Sequence, residues 1–190
     1  MKSSATSHDA PFAPIETERL ILRPFQPADW RAVYSYMSDP QVTAFLPEGL
    51  MSKARARAFA MRNAKAPRAV AVAKKSGGAL IGHMPFHPWF APATWEVGWA
   101  LAREHQGFGY ATEAARALLG HAFGALGCHR VIATCQPDNP ASWRIAEKLR
   151  MRREAHFKAC IARPGGQWWD EYFYAILAEE FAPCPATLAP

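Results

Sequence analysis

The chain has 190 residues, 50% of them hydrophobic, and carries 22 Lys and Arg against 16 Asp and Glu, giving a formal charge of +6 and a pI of about 9.4. This length suits one domain with a sizeable core. No apolar run approaches the roughly 20 residues of a membrane span, and the opening MKSSATSHDAPFAP lacks the apolar block of a signal peptide, so the reading is a soluble, cytoplasmic protein without a membrane partner.

Residues 1–14 and 183–190 lack periodicity and read as loose tails around a single domain over residues 15–182. RLILRPF, residues 19–25, alternates as a strand, and QPADWRAVYSYMSD follows with Trp30, Val33, Tyr34 and Met37 at helical spacing. A second helix is expected over residues 52–65. It falls within the basic run KARARAFAMRNAKAPR, residues 53–68, which is either a polyanion-binding surface or a solvated helical face. AVAVAKK and ALIGHMPF, split by Ser76-Gly77-Gly78, read as a hairpin, because glycine supplies the positive φ of a tight turn. TWEVGWAL, residues 94–101, is the next strand. Ala111, Ala114, Ala115, Leu118, Leu119, Ala122 and Phe123 then form the apolar stripe of a helix over residues 110–124. RVIATCQP predicts a strand, and DNPASWRIAEKL a helix with Asn139 at its N-cap and Pro140 in its first position. EYFYAIL closes the order as a strand, giving a mixed α/β sandwich around one sheet.

The cysteines Cys128, Cys135, Cys160 and Cys184 are too widely spaced for a disulfide framework and are expected to be reduced, mostly buried thiols. His83 and His87 lie four apart, but Pro85 and Pro88 forbid the helix that would align them, so no metal site is predicted.

The most informative stretch is REHQGFGYATEAARALLGHAF, residues 103–123, in which two glycines lead straight into a helix. The first turn of a helix offers unpaired N–H groups and the positive end of its dipole, an anion site that glycine lets the backbone approach closely. No Gly-Lys-Ser/Thr follows, which excludes a Walker A loop. Thr112 stands where a dinucleotide fingerprint needs its third glycine, and no acidic residue follows at the required distance. A plain glycine turn remains the alternative.

Gln106-Gly107-Phe108-Gly109-Tyr110-Ala111 resembles the Gln/Arg-x-x-Gly-x-Gly/Ala loop of the GNAT N-acetyltransferases. TERLILRPFQPADW, SDPQVTAFLP, WEVGWAL, DNPASWRIAEKL and GGQWWDEYFYAIL add further landmarks in order. They are most similar to the branch that includes ribosomal-protein N-terminal acetyltransferases.

The resemblance implies a GNAT-like α/β (α+β mixed) single domain, its central, mostly antiparallel mixed sheet splayed at the middle, with helices on both faces. It implies acetyl-CoA as cofactor, the pyrophosphate gripped by the loop Gln106, Gly107, Phe108, Gly109, Tyr110, Ala111 and Thr112. The pantetheine arm would bond the backbone of Ala100 and Leu101, Asn139 would belong to the cofactor site, and N–H groups near Trp99 to Leu101 would receive the carbonyl oxygen. Ser142 matches the serine near the cofactor sulfur and is the expected general acid; its alternative is a serine that merely bonds helix-end amides. Glu96 is the expected base, acting through water, with an exposed strand carboxylate as the alternative, and Glu113 is the weaker candidate. The acceptor cleft would be framed by Trp30 and Tyr34 and by Trp168-Trp169-Asp170, with Asp170 attracting a protonated amine unless it is a turn carboxylate.

The expected partner is an amine acceptor, a ribosomal or other protein N terminus, attacked directly on the thioester by a monomer or homodimer. Small-molecule amine acetylation and a noncatalytic acyl-CoA sensor are the alternatives, and nucleic-acid binding is the least favoured. One departure stands out: Lys148-Leu149-Arg150-Met151 has Arg150 where the branch usually places glycine, leaving either a strained left-handed cap or an extra charge near the acceptor.

Overall fold

A computed structural model describes residues 12–181. Its strands and α-helices are β1 Ile15–Glu16, β2 Leu20–Arg23, α1 Trp30–Met37, α2 Pro40–Thr43, α3 Lys53–Lys65, β3 Ala69–Lys74, β4 Leu80–Pro88, β5 Thr94–Val97, β6 Ala100–Leu101, α4 Tyr110–Gly124, β7 Arg130–Cys135, α5 Pro140–Lys148, β8 Arg152–Ala162 and β9 Trp168–Leu177. The strands form one nine-stranded sheet in the order β1-β2-β3-β4-β5-β7-β9-β8, with β6 also beside β4. The β5–β7 pair is parallel, and the other strand pairs are antiparallel.

Helices cover both faces because β3 is apolar on both. Val70 and Val72 join Leu118 and Leu119 of α4 in one core, while Ala69 and Ala71 join Val33, Met37 and Phe59 of α1 and α3 in the other. The β3–β4 turn has Gly77 at φ +80° and Gly78 at φ +68°, the left-handed backbone that calls for glycine at both positions. Ser52 caps α3 by accepting from the amide of Arg55, and Asn139 caps α5 by accepting from that of Ser142, with Pro140 in the first turn as expected.

Several expectations need correction. The helix expected over residues 26–39 is a 3-10 turn followed by α1, and α2 begins anew at Pro40. The chain also contains β8, an eleven-residue edge strand absent from the sequence reading, and β9 begins at Trp168, so Trp168, Trp169 and Asp170 lie in a strand. Cys128 and Cys135 are buried, but Cys160 on β8 is exposed, and Cys184 lies outside the described residues.

Arg150 does form the left-handed cap, at φ +62°. The amide of Met151 donates to Ala146 O at 3.0 Å and that of Arg150 to Glu147 O at 2.9 Å, the paired bonds of a Schellman motif. A residue with a Cβ is strained in this conformation by about 1 kcal/mol. Arg150→Gly relieves this strain but returns about 0.5–1 kcal/mol of backbone freedom to the unfolded chain, so the thermal midpoint measured by calorimetry is expected to rise by no more than roughly 2 °C, and a clear drop would show that the arginine side chain stabilises the cap.

Candidate active site

The sheet opens between β5–β6 and β7. β5 pairs with β7 only from Thr94↔Arg130 to Glu96↔Ile132, after which β7 continues against β9 while the other strand stays with β4. Phe86↔Val97 and His83↔Ala100 keep the same register on β4, so Gly98 is not a bulge there. Its amide donates to Pro85 O at 2.9 Å, and a Cβ at Gly98 would meet the Pro85 ring at 3.2 Å. Gly82 opposite is tighter, since a Cβ there would lie 2.3 Å from Ala100 O. By the alternation of an antiparallel pair, the amides of Gly98, Ala100 and Ala102 face β4, so those of Trp99 and Leu101 point into the opening. The expectation for Ala100 is corrected accordingly: its backbone groups are directed at His83.

A cleft of about 700 Å³ passes through this opening. On the α4–α5 face it is lined by the glycine loop. Gly107 and Gly109 take φ +83° and +81°, and the first helical bond of α4 runs from the Glu113 amide to Gly109 O at 3.0 Å, leaving the amides of Tyr110, Ala111 and Thr112 ahead of it without an intrahelical carbonyl. Gln106 Nε2 donates to Leu101 O at 2.9 Å, tying loop to strand. Arg19 braces the loop from outside, donating to Phe108 O at 3.1 Å, stacking over Tyr110 at 4.6 Å and pairing with Glu113 at 2.6 Å. Burial pushes the Glu113 carboxyl up, but hydrogen bonds from Thr17 and Arg19 outweigh it and hold it below the usual carboxylate range. Glu113 is thus a structural tie.

Ser142 and Asn139 also line the cleft. Ser142 Oγ accepts a hydrogen bond from Trp99 Nε1 at 2.9 Å, while the cap belongs to Asn139. The Ser142 oxygen thus takes the indole N–H, and the helix-end amide goes to Asn139. Its neighbour Cys135 has a thiol pushed up to about 12, mainly by burial, against which a hydrogen bond with Ser142 works.

The opposite face carries carboxylates. Glu96 pairs with Ile132, Thr134 lies two residues on, and Glu171 sits two residues from Thr134's partner Phe173, so Glu96, Thr134 and Glu171 share the sheet face away from α4. Burial raises the Glu171 carboxyl, the Thr134 hydroxyl lowers it, and the negative charge of Glu96 raises it again. Over this side, the Phe45 ring lies 5.5 Å from that of Trp169, Arg163 stacks on Trp169 at 3.8 Å, and Arg163 donates to Ala44 O at 3.3 Å.

The sequence pattern of the acetyltransferase (GNAT) domain matches residues 19–152. The chain belongs to the GNAT acetyltransferase family. It is 46% identical over 169 residues to the uncharacterized N-acetyltransferase YnaD of Bacillus subtilis, covering 88% of this chain and 98% of that protein. The crystal structure of a GNAT-family acetyltransferase from Bacillus anthracis superposes with a TM-score of 0.85 at 44% identity, covering 88% of this chain and 100% of that one. The ribosomal-protein-S5-alanine acetyltransferase of Vibrio fischeri, at 18% identity and a TM-score of 0.76 over 90% of this chain and 100% of its own, shares the fold.

The protein is thus an acyltransferase whose acetyl donor is acetyl-CoA, and its residues suit that molecule. The amides of Tyr110 to Thr112 offer donors to a pyrophosphate, and His105, Arg144 and Lys148 add basic side chains to the same cleft. Gln106, Gly107, Gly109, Tyr110, Ala111, Thr112, Leu101, Asn139, Ser142 and Glu96 all line it. Phe108 lies outside that lining, with its side chain exposed.

The three acceptor residues read from sequence lie outside it as well. Trp30 is stacked beneath Arg57 at 4.2 Å, and Tyr34 beneath Lys53 at 5.7 Å, packing against the α1–α3 core. Asp170 accepts from the Ala159 amide at 2.9 Å, from Lys158 at 2.9 Å and from His156 at 2.7 Å, which together hold it well below the usual carboxylate range and make it a brace of the β8–β9 hairpin. Glu171, Arg163 and Phe45 line the cleft instead. The signal for Glu171 was its position one residue beyond Asp170 in an alternating strand, where the two side chains point to opposite faces.

Proposed function

We propose that the protein acetylates the α-amine of a protein or peptide N terminus. The observation that carries this reading is the two-sided cleft: an anion-binding helix end and Ser142 on one face of the sheet, the carboxylates Glu96 and Glu171 on the other. Acetyl-CoA supplies an activated thioester. The amine enters as a cation drawn by Glu96 and Glu171, Glu96 takes one proton, directly or through water, and the freed amine attacks the thioester carbon, forming the C–N bond as the C–S bond breaks. The amides of Trp99 and Leu101 receive the carbonyl oxygen, and Ser142 donates its proton to the departing sulfur and recovers one from the acylated nitrogen through water. An α-amine with a pKa near 8 is about a tenth deprotonated at pH 7, whereas a lysine amine is below about a thousandth, so an α-amine asks little of the base.

The paired carboxylates also favour a second reading, a small amine bearing a further positive charge. Thiol release from acetyl-CoA distinguishes the two. A peptide with a free N-terminal alanine is expected to release thiol, and the same peptide with a blocked N terminus is not. Release with spermidine and with neither peptide would establish the second reading, and silence with all three would leave an acyl-CoA-binding sensor.

A further inference from the structure

The indole of Trp99 spans the opening in the sheet. Its Nε1 lies 2.9 Å from Ser142 Oγ, joining residues 43 apart in the chain, one at the β5–β6 junction and the other in the first turn of α5. We infer that Trp99 is a positioning residue for the acetyl transfer, fixing the Ser142 hydroxyl so that its hydrogen is presented to the sulfur in the cleft. The inference rests on the proposed acid role of Ser142.

The direction of this hydrogen bond is unambiguous. Indole N–H is a donor only, while a hydroxyl has one hydrogen and two acceptor lone pairs, so the bond must run from Trp99 to Ser142 and leaves the serine hydrogen for another acceptor. A serine in the first turn of a helix would ordinarily turn its oxygen back to the helix-end amides. Asn139 prevents this by taking the Ser142 amide itself, at 3.2 Å. The remaining neighbour, Cys135, competes weakly for the hydrogen, because its thiol stays protonated and a neutral sulfur is a weak acceptor.

Trp99 is itself held from two sides. The preceding residue, Gly98, is bonded to Pro85 O and lies against the Pro85 ring, and the following residue, Ala100, pairs with His83. With the backbone anchored on both sides, the indole has a fixed origin from which to reach α5. Trp95 and Trp99 both pack against the α4–α5 core, as the alternation of the strand requires, which puts the indole on the side where the glycine loop lies. A tryptophan acting only as packing would not need its N–H at this position, and that group is what phenylalanine removes.

The test is a double-mutant cycle of Trp99→Phe and Ser142→Ala, using acetyl-CoA and whichever of the Ala-initiated peptide or spermidine releases thiol with the natural protein. Trp99→Phe is expected to lower kcat roughly five- to tenfold while leaving KM for acetyl-CoA within about twofold, as loss of one orienting hydrogen bond predicts. Once Ser142 is alanine, the same change is expected to cost nothing further. An equal loss in both backgrounds, with Ser142→Ala itself slow, would overturn the role of Trp99 and leave that of Ser142 standing. A Ser142→Ala enzyme as fast as the natural protein would overturn both. Thermal midpoints of the four proteins separate these outcomes from misfolding, since a structural strut would show its loss there in both backgrounds.

Discussion

Replacing Ser142 by alanine is expected to lower kcat by roughly 10²- to 10⁴-fold, the usual worth of a positioned general acid, with KM for acetyl-CoA little changed. The split between the constants follows from geometry. The groups assigned to the pyrophosphate are backbone amides at the start of α4 and the basic side chains of His105, Arg144 and Lys148, and removing one hydroxyl touches none of them. The helix should survive the change too, because Asn139 rather than Ser142 caps α5. What disappears is the donor to a developing thiolate in a cleft where water is a poorer substitute. Steady-state kinetics at saturating acceptor check this, and Ser142→Thr, which keeps a hydroxyl, should recover part of the rate. An unchanged kcat in the Ser142→Ala enzyme would remove the acid from the proposed mechanism.

The parts of this site that were legible in the sequence are those defined by local backbone chemistry. Gly107 and Gly109 before an apolar stripe, and Asn139-Pro140 before another, announce helix ends whatever surrounds them, and both ends form. The acceptor side was not legible, because it depends on which face of which strand meets which hairpin. Strand β8 is the clearest case. Its residues are nearly all exposed, because among the described residues it is an edge strand paired only with β9; Ala155, Phe157, Ala159 and Ile161 alternate with Glu154, His156, Lys158 and Cys160, but no buried face backs that pattern, and the register shifts between Phe157 and Ile161 where Ala159 takes φ +45°. Without it, Trp168-Trp169-Asp170 stood ahead of the expected strand EYFYAIL, which allowed Asp170 to be aimed at a substrate amine. As a strand residue, Asp170 is consumed by Lys158 and His156 across the hairpin, and Glu171 beside it is the one turned to the cleft. Trp30 and Tyr34 failed for a related reason. An amphipathic helix tells which residues avoid water, but not whether the basic face of α3 will close over their rings, as Arg57 and Lys53 do.

Acidification from about 6.5 to about 4 is expected to remove up to about 3 kcal/mol of folding stability through His83 alone. This histidine is 2% exposed, packed against Phe25 and Phe59, and its Nδ1 lies 2.8 Å from the Tyr36 hydroxyl. Burial lowers its pKa to about 4, whereas the unfolded chain keeps an ordinary value of 6.5. Between those values the unfolded chain binds the proton more readily, so the contribution is fully present above the upper value and is lost as pH falls through the lower one. His83→Gln removes the titrating group while keeping polar atoms for the tyrosine. The difference in urea unfolding free energy between natural and variant protein should therefore shrink across that window. Glu113, Glu154 and Asp170 also lose stabilising partners on acidification, but they are held below the usual carboxylate range, so their losses fall lower and are common to both proteins. Glu171 acts in the opposite sense, since its raised carboxyl is relieved by protonation. Parallel stability curves for the two proteins would mean that His83 takes up its proton without unfolding, by reaching the cleft it lines.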